Sequence, residues 1–299
     1  MDFEKIYQEK KLIIENNIYS YLPSLDEKSI KVYNAMRYSL EAGGKRLRPV
    51  LLLSACEFCD GDIYQALPYA CAIEMIHTYS LIHDDLPSMD NDDFRRGKPS
   101  NHKVYGEAIA ILAGDGLLNT AMEIICIDIS SSIKNLETTT KKVLAASEIF
   151  EASGCKGMIG GQAADIDFEK KELSEDVLNY IHIKKTSALL TACIRAGAIL
   201  GNADEEVLAD LTEFAKNMGL AFQITDDILD VCGNQQLMGK AVGSDAKLQK
   251  MTYPSLYGID NSKAKVKELE KKSLLILDKY KERSDFLKNL LLYLTDRSF

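Results

Sequence analysis

The sequence is poor in chain breakers and has no low-complexity segments. It contains only six prolines in 299 residues, no linker rich in Pro, Gly or Ser, and no repeat at a fixed period. Alternating apolar and polar segments joined by hairpin turns are also missing, which argues against a β-rich fold. These absences favour a single helical domain that covers residues 1–299.

Segments that would direct the chain to a membrane or out of the cell are lacking as well. The N-terminus, MDFEKIYQEKKLIIENN, is charged and has no apolar core of signal-peptide length. No stretch approaches the roughly 20 apolar residues that a membrane-spanning helix needs, so we expect a cytoplasmic protein. The formal net charge of −9 argues against a general nucleic-acid-binding protein. It does not argue against anionic substrates, because local cations set the local field.

Cysteine is present but forms no recognisable framework. The chain has seven cysteines, an odd number, and most lie in apolar helical segments. Cys56 and Cys59 have CxxC spacing without a second pair or nearby histidines. A packing role therefore fits them better than a metal or redox site, although the spacing alone leaves both open.

The chain does contain apolar periodicity of helical length. Ser24 and Glu27 are spaced as a capping box for a first helix that runs to about Glu41. The further predicted helices span about residues 50–58, 64–85, 106–125, 137–153, 158–166, 176–200, 204–230, 263–281 and 286–294. We therefore predict an all-α fold, a bundle that places its functional site in the core, on facing helices.

One of these helices ends in a burst of carboxylates. Five of the ten residues from 84 to 93 are acidic, and Arg95 and Arg96 follow at once. Crowded carboxylates repel one another, and Mg²⁺ relieves that repulsion while sharing its remaining sites with substrate phosphate. Arginines clamp phosphate oxygens in a bidentate fork. The pattern indicates a magnesium and diphosphate site, but taken alone it also fits a solvated acidic loop.

The spacing inside this first cluster requires a break in the helix. Asp84 and Asp90 are six residues apart, which would separate them by about 240° around a regular helix. Pro87 lies between them and is predicted to end the helix, so that Asp90 can fold back toward Asp84.

A second acidic cluster, FQITDDILD, lies in an apolar helix near residue 226. Asp226 and Asp230 are four residues apart and share a helix face with Gln223. Like charges at this spacing destabilise a helix unless a cation lies on them. Two such clusters on facing helices would hold several magnesium ions around a diphosphate.

Basic residues occur at three further places. GGKRLRP, at 43–49, is a glycine-loosened turn whose Lys45, Arg46 and Arg48 could hold a second anion. Lys185 lies beside Thr186 inside an apolar helix, where a buried lysine needs a partner. The other place is the polar stretch after the second acidic cluster, which contains Lys240 and Lys250. Taken singly, each lysine also fits a solvated surface residue.

In this order, the motifs GGKRLRP, IHDDLPSMDNDDFRRGKP, GGQAADI, KKTSALL and FQITDDILD resemble those of the trans-isoprenyl diphosphate synthases. The resemblance extends from about Lys28 to Phe299. The spacing within DDLPSMD is similar to that of the bacterial short-chain branch, the farnesyl diphosphate synthases in particular. The resemblance implies an all-α fold around a deep central cavity, usually in a homodimer. It also implies head-to-tail condensation of isopentenyl diphosphate with an allylic diphosphate.

The resemblance also implies a division of the site residues between the two diphosphates. The implied ligands of three magnesium ions are Asp84, Asp90 and Asp226, supported by Asp85, Asp227 and Asp230. The implied contacts of the allylic diphosphate are Arg95, Lys185, Thr186, Gln223, Lys240 and Lys250. The implied contacts of the metal-free isopentenyl diphosphate are Lys45, Arg48, His77 and Arg96. His77, taken alone, also fits a core histidine.

The implied reaction needs no side-chain nucleophile. Magnesium and the basic residues would neutralise the charge on the departing diphosphate. The Thr186 hydroxyl, the Lys185 carbonyl and the Gln223 side-chain oxygen would face the allylic cation. The isopentenyl double bond would attack that cation, and a proton would be lost to the released diphosphate. The loop from Lys240 to Lys250 and the C-terminus are candidate lids that keep water out.

Tyr79 is the implied determinant of product length. It precedes Asp84 by five residues, or about 7.5 Å along a helix, and in the family a bulky residue here forms the floor of the cavity. Tyr79 therefore favours the fifteen-carbon product, farnesyl diphosphate, whereas the neighbouring Ser80 is too small to block a chain. A geranylgeranyl diphosphate synthase is the alternative. Phe94 replaces a leucine that is frequent in the family, and we expect little consequence.

Two other classes of protein share part of the pattern. A terpene cyclase would use DDxxD chemistry but would leave GGKRLRP unexplained. A non-catalytic subunit of a heteromeric prenyl synthase would keep the fold and lose aspartates, whereas both clusters are intact here.

Overall fold

The computed structural model describes residues 2–24, 26–168, 174–232 and 252–296. These residues are almost entirely helical, which confirms the predicted all-α fold. The α-helices are α1 Phe3–Asn17, α2 Ile30–Glu41, α3 Leu47–Phe58, α4 Ile63–Asp84, α5 Asn101–Tyr105, α6 Glu107–Ser131, α7 Leu136–Ser153, α8 Met158–Phe168, α9 Glu175–Ile181, α10 Ala188–Leu200, α11 Glu205–Cys232, α12 Tyr253–Tyr257, α13 Ile259–Asp278 and α14 Asp285–Thr295. A π-helix, His182–Ser187, joins α9 to α10, and 3₁₀ turns lie at Ile18–Tyr21 and Lys281–Ser284. Two short strands, β1 Phe94–Arg95 and β2 Lys98–Pro99, form an antiparallel hairpin.

Helix α4 lies in the middle of the packing. It contacts α6 on one side and α3 on the other, and α3 packs in turn on α10, which contacts α11. Most of α4 is buried, with Tyr69, Ile73 and Ile76 among the largest fully enclosed side chains. A helix that is apolar on all faces must be buried. Burial therefore fixes the direction of α4 and, with it, the position of the carboxylates at its C-terminal end.

Glycines let α3 and α10 touch through their backbones. A Cβ atom on Gly197 of α10 would lie 2.1 Å from the carbonyl oxygen of Leu52 on α3. At the far end of the same pair, a Cβ on Gly61 would lie 2.5 Å from the Cα of Gly201. These contacts hold α3, which starts at the GGKRLRP turn, at a fixed depth against the core.

Two predicted helix starts were wrong. The helix expected from a capping box at Ser24 begins only at Ile30, because the Asp26 carboxylate instead accepts hydrogen bonds from the N–H groups of Lys28 and Ser29 and forms a local turn. Helix α3 begins at Leu47 rather than after Pro49, since proline is tolerated in the first helical turn.

Other differences lie in segments whose helical pattern is short or interrupted. The predicted helix at 176–200 is divided by the π-helix His182–Ser187. Helices α1, α5 and α12 were not predicted, nor was the β1–β2 hairpin. The Asp2 side chain caps α1 by accepting from the N–H of Lys5.

Helix α6 is more apolar than we expected of any segment of this chain. By length and composition alone it could cross a membrane, so the expectation that no stretch approaches this property was wrong. A core helix of a soluble protein passes the same test. Ala113, Leu117 and Ala121 lie on its buried face, which packs on α4.

The cysteines fit the packing interpretation. All seven are free thiols, and Cys56 and Cys59 are buried. Burial raises the pKa of Cys56 to about 12 and that of Cys59 to about 11. Both thiols therefore stay protonated near neutral pH, where metal binding and redox chemistry need the thiolate.

The substitution Gly197→Ala is expected to destabilise the protein, although alanine is the better helix former. The new methyl group meets the Leu52 carbonyl, and overpacking of this kind costs about 1–3 kcal/mol. The measurement is the free energy of unfolding in urea. Gly116→Ala is the matched control, because its Cβ would meet the flexible Met36 side chain at 2.9 Å. Equal stabilities of the two variants would contradict the close contact of α3 with α10.

Candidate active site

The first acidic cluster forms where α4 ends. The N–H of Asp90 donates to the carbonyl oxygen of Asp84 at 2.9 Å, so the predicted return of Asp90 toward Asp84 is confirmed. Burial, opposed by the Lys185 ammonium and reinforced by the charge of Asp90, raises the pKa of Asp84 to about 6. A carboxyl group in this position gains from any added cation.

Arg95 is held against the same cluster. Its guanidinium donates to the buried Asp85, from Nε at 2.8 Å and also from Nη2, and to Asp92 at 3.0 Å. Burial raises the pKa of Asp85, and the hydrogen bond from Arg95 opposes that rise. Asp85 thus anchors Arg95 on β1, next to Asp84.

Lys185 lies in the π-helix and has a partner that the sequence reading missed. Its Nζ atom is 2.7 Å from the Oδ2 atom of Asp165 on α8. A Cβ atom on Gly161 would lie only 2.2 Å from the backbone nitrogen of Lys185, so α8 rests directly on the π-helix. Single π-turns inside helices are frequent at functional sites. The sequence contained one sign of this role: Asp165, four residues after Gly161, is the only charged residue in the GGQAADI motif.

The second acidic cluster, on α11, is organised by Asp227. This buried carboxylate accepts hydrogen bonds from Gln223 Nε2 at 3.0 Å and from the N–H of Tyr253 at 2.9 Å. His182 of the π-helix approaches it to 3.3 Å. Gln223 was expected on the face of Asp226. Its amide nitrogen instead binds Asp227, and its amide oxygen keeps its acceptor capacity. His182 and Tyr253 were not identified from the sequence, since no local pattern links them to Asp227.

The GGKRLRP turn is fixed by a buried ion pair. Arg46 adopts a left-handed conformation, φ 53°, immediately before α3. Its guanidinium donates to Glu74 of α4 at 2.7 Å and to the carbonyl of Leu40 at 2.6 Å. Arg46 and Glu74 are both almost fully buried. Glu74, which the sequence reading missed, therefore ties the turn that carries Lys45 to the central helix.

The residues expected to bind isopentenyl diphosphate come together around this turn. Arg96 donates to the carbonyl of Gly43, and a Cβ on Gly44 would lie 2.6 Å from its guanidinium carbon. Burial, followed by the charges of Arg48 and Arg96, lowers the pKa of His77 well below its ordinary value. The imidazole is therefore neutral at physiological pH.

Arg48 makes this pocket electropositive. Burial lowers its pKa, with the negative charges of Glu74 and Asp226 acting against the decrease. Its Nε atom is buried and has no hydrogen-bond partner among the described residues. A desolvated guanidinium with an unused donor is suited to an anionic ligand. The influence of Asp226 also places the second acidic cluster within electrostatic reach of this pocket.

Tyr79 lies one and a half turns before Asp84 and is 6% exposed. Its ring packs edge-on against that of His83, with 5.7 Å between centroids. Burial raises the pKa of its hydroxyl to about 12, so the side chain is a neutral, bulky group. Thr186, in the π-helix, is partly buried.

Some expected parts of the site lie outside the described residues. Lys240, Lys250, the candidate lid between them and residues 297–299 lie outside the described residues. Within the part of the chain that the structure describes, no three acidic, His or Cys side chains form a ready-made metal site. Asp84 and Asp90 lie at the end of α4 and Asp226 lies on α11, and α10 contacts both of these helices.

Comparison with known proteins extends these observations to the whole chain. The polyprenyl synthetase family model matches residues 30–290. The chain is 50% identical to a farnesyl diphosphate synthase of Geobacillus stearothermophilus over 267 residues, which cover 89% of this chain and 88% of the relative. It is 44% identical over 283 residues to a geranylgeranyl diphosphate synthase of Cyanophora paradoxa, covering 94% of this chain and 89% of the relative.

A solved structure agrees with this. The crystal structure of geranylgeranyl pyrophosphate synthetase from Pyrococcus horikoshii superposes with a TM-score of 0.85 at 31% identity, covering 99% of this chain and 98% of that one. The fold, the order of the motifs and these similarities lead to one conclusion: the chain belongs to the polyprenyl synthetase family.

Proposed function

We propose that this prenyltransferase condenses isopentenyl diphosphate head-to-tail with dimethylallyl or geranyl diphosphate to give (2E,6E)-farnesyl diphosphate. The observation that carries the proposal is the placement of two opposite charge environments on α4. His77 belongs to the electropositive pocket and Asp84 to the acidic cluster, seven residues or about 10 Å apart. One diphosphate at each place would bring the two hydrocarbon parts together between them.

The acidic residues fit magnesium. Carboxylates are the ligands that Mg²⁺ prefers beside substrate phosphate, and burial together with Asp90 makes Asp84 costly to ionise without a cation. Asp84, Asp90 and Asp226 would hold the metal, with three ions per site by analogy with the family. When bound, the metal supplies charge neutralisation to the allylic diphosphate.

The basic side chains of the chain would fall into two groups, one for each substrate. Arg95 and Lys185 would contact the allylic diphosphate, each exchanging or sharing its present carboxylate partner, and Lys240 and Lys250 are proposed to join them. Lys45, Arg48 and Arg96 would bind isopentenyl diphosphate. His77, being neutral, would donate one N–H to that diphosphate without adding to the repulsion among the arginines.

In the proposed reaction, the protein would present oxygen atoms to the reacting carbons. The Thr186 hydroxyl, the Lys185 carbonyl and the Gln223 amide oxygen would stabilise positive charge on the allylic carbon. The amide nitrogen of Gln223 is already bound to Asp227, so its oxygen is the end left for the substrate. The double bond of isopentenyl diphosphate attacks this carbon, and the released diphosphate accepts the proton that is lost.

Product length is the finer part of the proposal. Tyr79 is bulky, neutral and buried, which supports a floor below the fifteen-carbon chain. Geranylgeranyl diphosphate is the second candidate product, because a relative with that name is similar to the chain over nearly the same length.

The chain is further proposed to work as a homodimer. Ile111 and Met122, three turns apart on one face of α6, are 44% and 37% exposed, and Leu144 of α7 is 52% exposed. Large contiguous apolar patches mark association surfaces, and we propose this role for the face of α6 and the neighbouring α7. We also propose a cytoplasmic location, which the seven free thiols support because a reducing compartment preserves them.

The direct test of the function is incubation with magnesium, isopentenyl diphosphate and geranyl diphosphate, followed by product analysis. We expect a linear fifteen-carbon diphosphate. Asp84→Ala should lower turnover at least 100-fold, on the scale at which loss of electrostatic stabilisation acts. Asp93→Ala is the matched control, because Asp93 is exposed and paired with Lys103. A cyclic hydrocarbon, or a fully folded but inactive protein, would rule out the proposed reaction.

The substitution Tyr79→Ser is expected to lengthen the main product to twenty carbons or more, because it removes the floor. The measurement is chain-length analysis of the dephosphorylated products. Ser80→Ala should leave the length unchanged, since the Ser80 hydroxyl is small and, among the described residues, donates to the backbone carbonyl of His77 in its own helix. An unchanged length in Tyr79→Ser would show that another residue sets it.

The homodimer is tested by sedimentation equilibrium. We expect twice the chain mass for the wild type and a shift toward monomer for Met122→Glu, which places a charge in the apolar face. Leu275→Glu on α13, where Leu275 is 60% exposed, should remain dimeric. A monomeric wild type at micromolar concentration would refute the dimer.

A further inference from the structure

A cavity of about 420 Å³ lies between α1, the C-terminal end of α3 and the start of α14. It is separate from the site described above: Phe58, in its wall, is ten residues or about 15 Å along α3 from Arg48. Its volume is within the range of small-molecule sites, roughly 300–1,000 Å³. Ile13, Phe58 and Phe286 give it an apolar wall with two aromatic rings.

Two buried polar side chains in this cavity have unused hydrogen-bonding capacity. Ser54 is 3% exposed, and its hydroxyl has no partner among the described residues. Lys10, also 3% exposed, donates from Nζ to Glu57 at 2.6 Å and lies 5.6 Å from the centroid of the Phe286 ring. An ammonium group carries three donors and a hydroxyl one. An oxygen acceptor between Ser54 and Lys10 would satisfy groups that are otherwise costly to bury.

The rim of the cavity limits the charge of its ligand. Glu9, Glu57 and Glu282 are exposed at the rim, while Arg283 is engaged by Asp60 at 3.3 Å and by the carbonyl of Phe58. Three carboxylates disfavour a multiply charged diphosphate but tolerate a single negative charge that reaches Lys10. We propose that this cavity binds a small amphipathic monocarboxylic acid, with its carboxylate at Lys10 and Ser54 and its alkyl chain between Phe58 and Phe286.

Helix α1 connects this cavity to the GGKRLRP turn. Tyr7, one turn from Lys10, donates its hydroxyl to the carbonyl of Lys45 at 2.7 Å. Glu15, further along α1, lies 3.6 Å from the guanidinium of Arg46. A ligand that repositions α1 therefore acts on the turn that would bind isopentenyl diphosphate. This second step rests on the proposed function, whereas the binding itself does not.

Binding is tested by titrating the full-length protein with decanoate in a calorimeter. Ser54→Ala should weaken binding about three- to ten-fold, the effect of one hydrogen bond. Lys10→Met should weaken it more than ten-fold. Its former partner Glu57 has a side chain that is 56% exposed, so it can be hydrated. Ser273→Ala is the matched control: Ser273 has an equally buried, unpartnered hydroxyl on α13, outside the cavity. It should bind decanoate as the wild type does.

Three results would overturn the site. These are no binding of decanoate up to its solubility limit, equal affinity for 1-decanol and decanoate, and displacement of decanoate by farnesyl diphosphate. Equal affinity for 1-decanol would show that the carboxylate is not recognised. Displacement by farnesyl diphosphate would show that the acid occupies a prenyl chain site instead.

The coupling is tested in the condensation assay. Saturating decanoate should change the KM for isopentenyl diphosphate at least two-fold and leave the KM for the allylic diphosphate unaltered. Tyr7→Phe should remove this effect while decanoate still binds. An unchanged KM with the cavity filled would refute the coupling. Absence of any condensation product would refute the proposed function and leave the titration result standing.

Discussion

The buried ion pair between Arg46 and Glu74 is the interaction on which the geometry of the site depends. It joins the left-handed turn before α3 to the middle of α4. Without Arg46, the Glu74 carboxylate would be buried without its counter-charge, which costs several kcal/mol. The pair therefore specifies one arrangement in which Lys45 and Arg48 leave the turn beside His77, while the same helix carries Asp84 two turns further on.

Charge balance explains why the site can be assembled before any substrate arrives. Two of its cations already have a counter-charge in the described structure, since Arg95 has Asp85 and Lys185 has Asp165. Asp227 accepts hydrogen bonds from the Gln223 amide and from the N–H of Tyr253. Arg48 is different, because its Nε has no partner among the described residues. The groups with partners can exchange them for phosphate or metal, whereas Arg48 gains a new contact outright. These ion pairs offset the repulsion between like charges, which would otherwise push the helices apart.

The sequence was informative where the physical rule is local. The end of α4 at Pro87 and the return of Asp90 follow from helix geometry, and the helical periodicity of α4 and α11 predicted both helices to within two residues. The π-helix was not predictable from the sequence. One extra residue in a single turn changes the spacing of the apolar residues too little to be distinguished from that of a regular α-helix. Asp165, Glu74 and Tyr253 were missed for another reason: each acts on a residue at least twenty positions away. Ser24 failed as a cap because the carboxylate of Asp26 accepts from the N–H groups of Lys28 and Ser29 and forms a turn where the first helical turn was expected.

The π-helix at His182–Ser187 also constrains how this chain can change over evolutionary time. A π-turn accommodates one more residue than the α-helical turn it replaces. Loss of any single residue in this segment would let α9 and α10 merge into one regular helix, and such a helix would turn α9 by about 100° relative to α10. Lys185 would then leave Asp165, and His182 would leave Asp227. Point substitutions in this region are a smaller disturbance than one deletion, so the length of the segment should be kept more strictly than its composition.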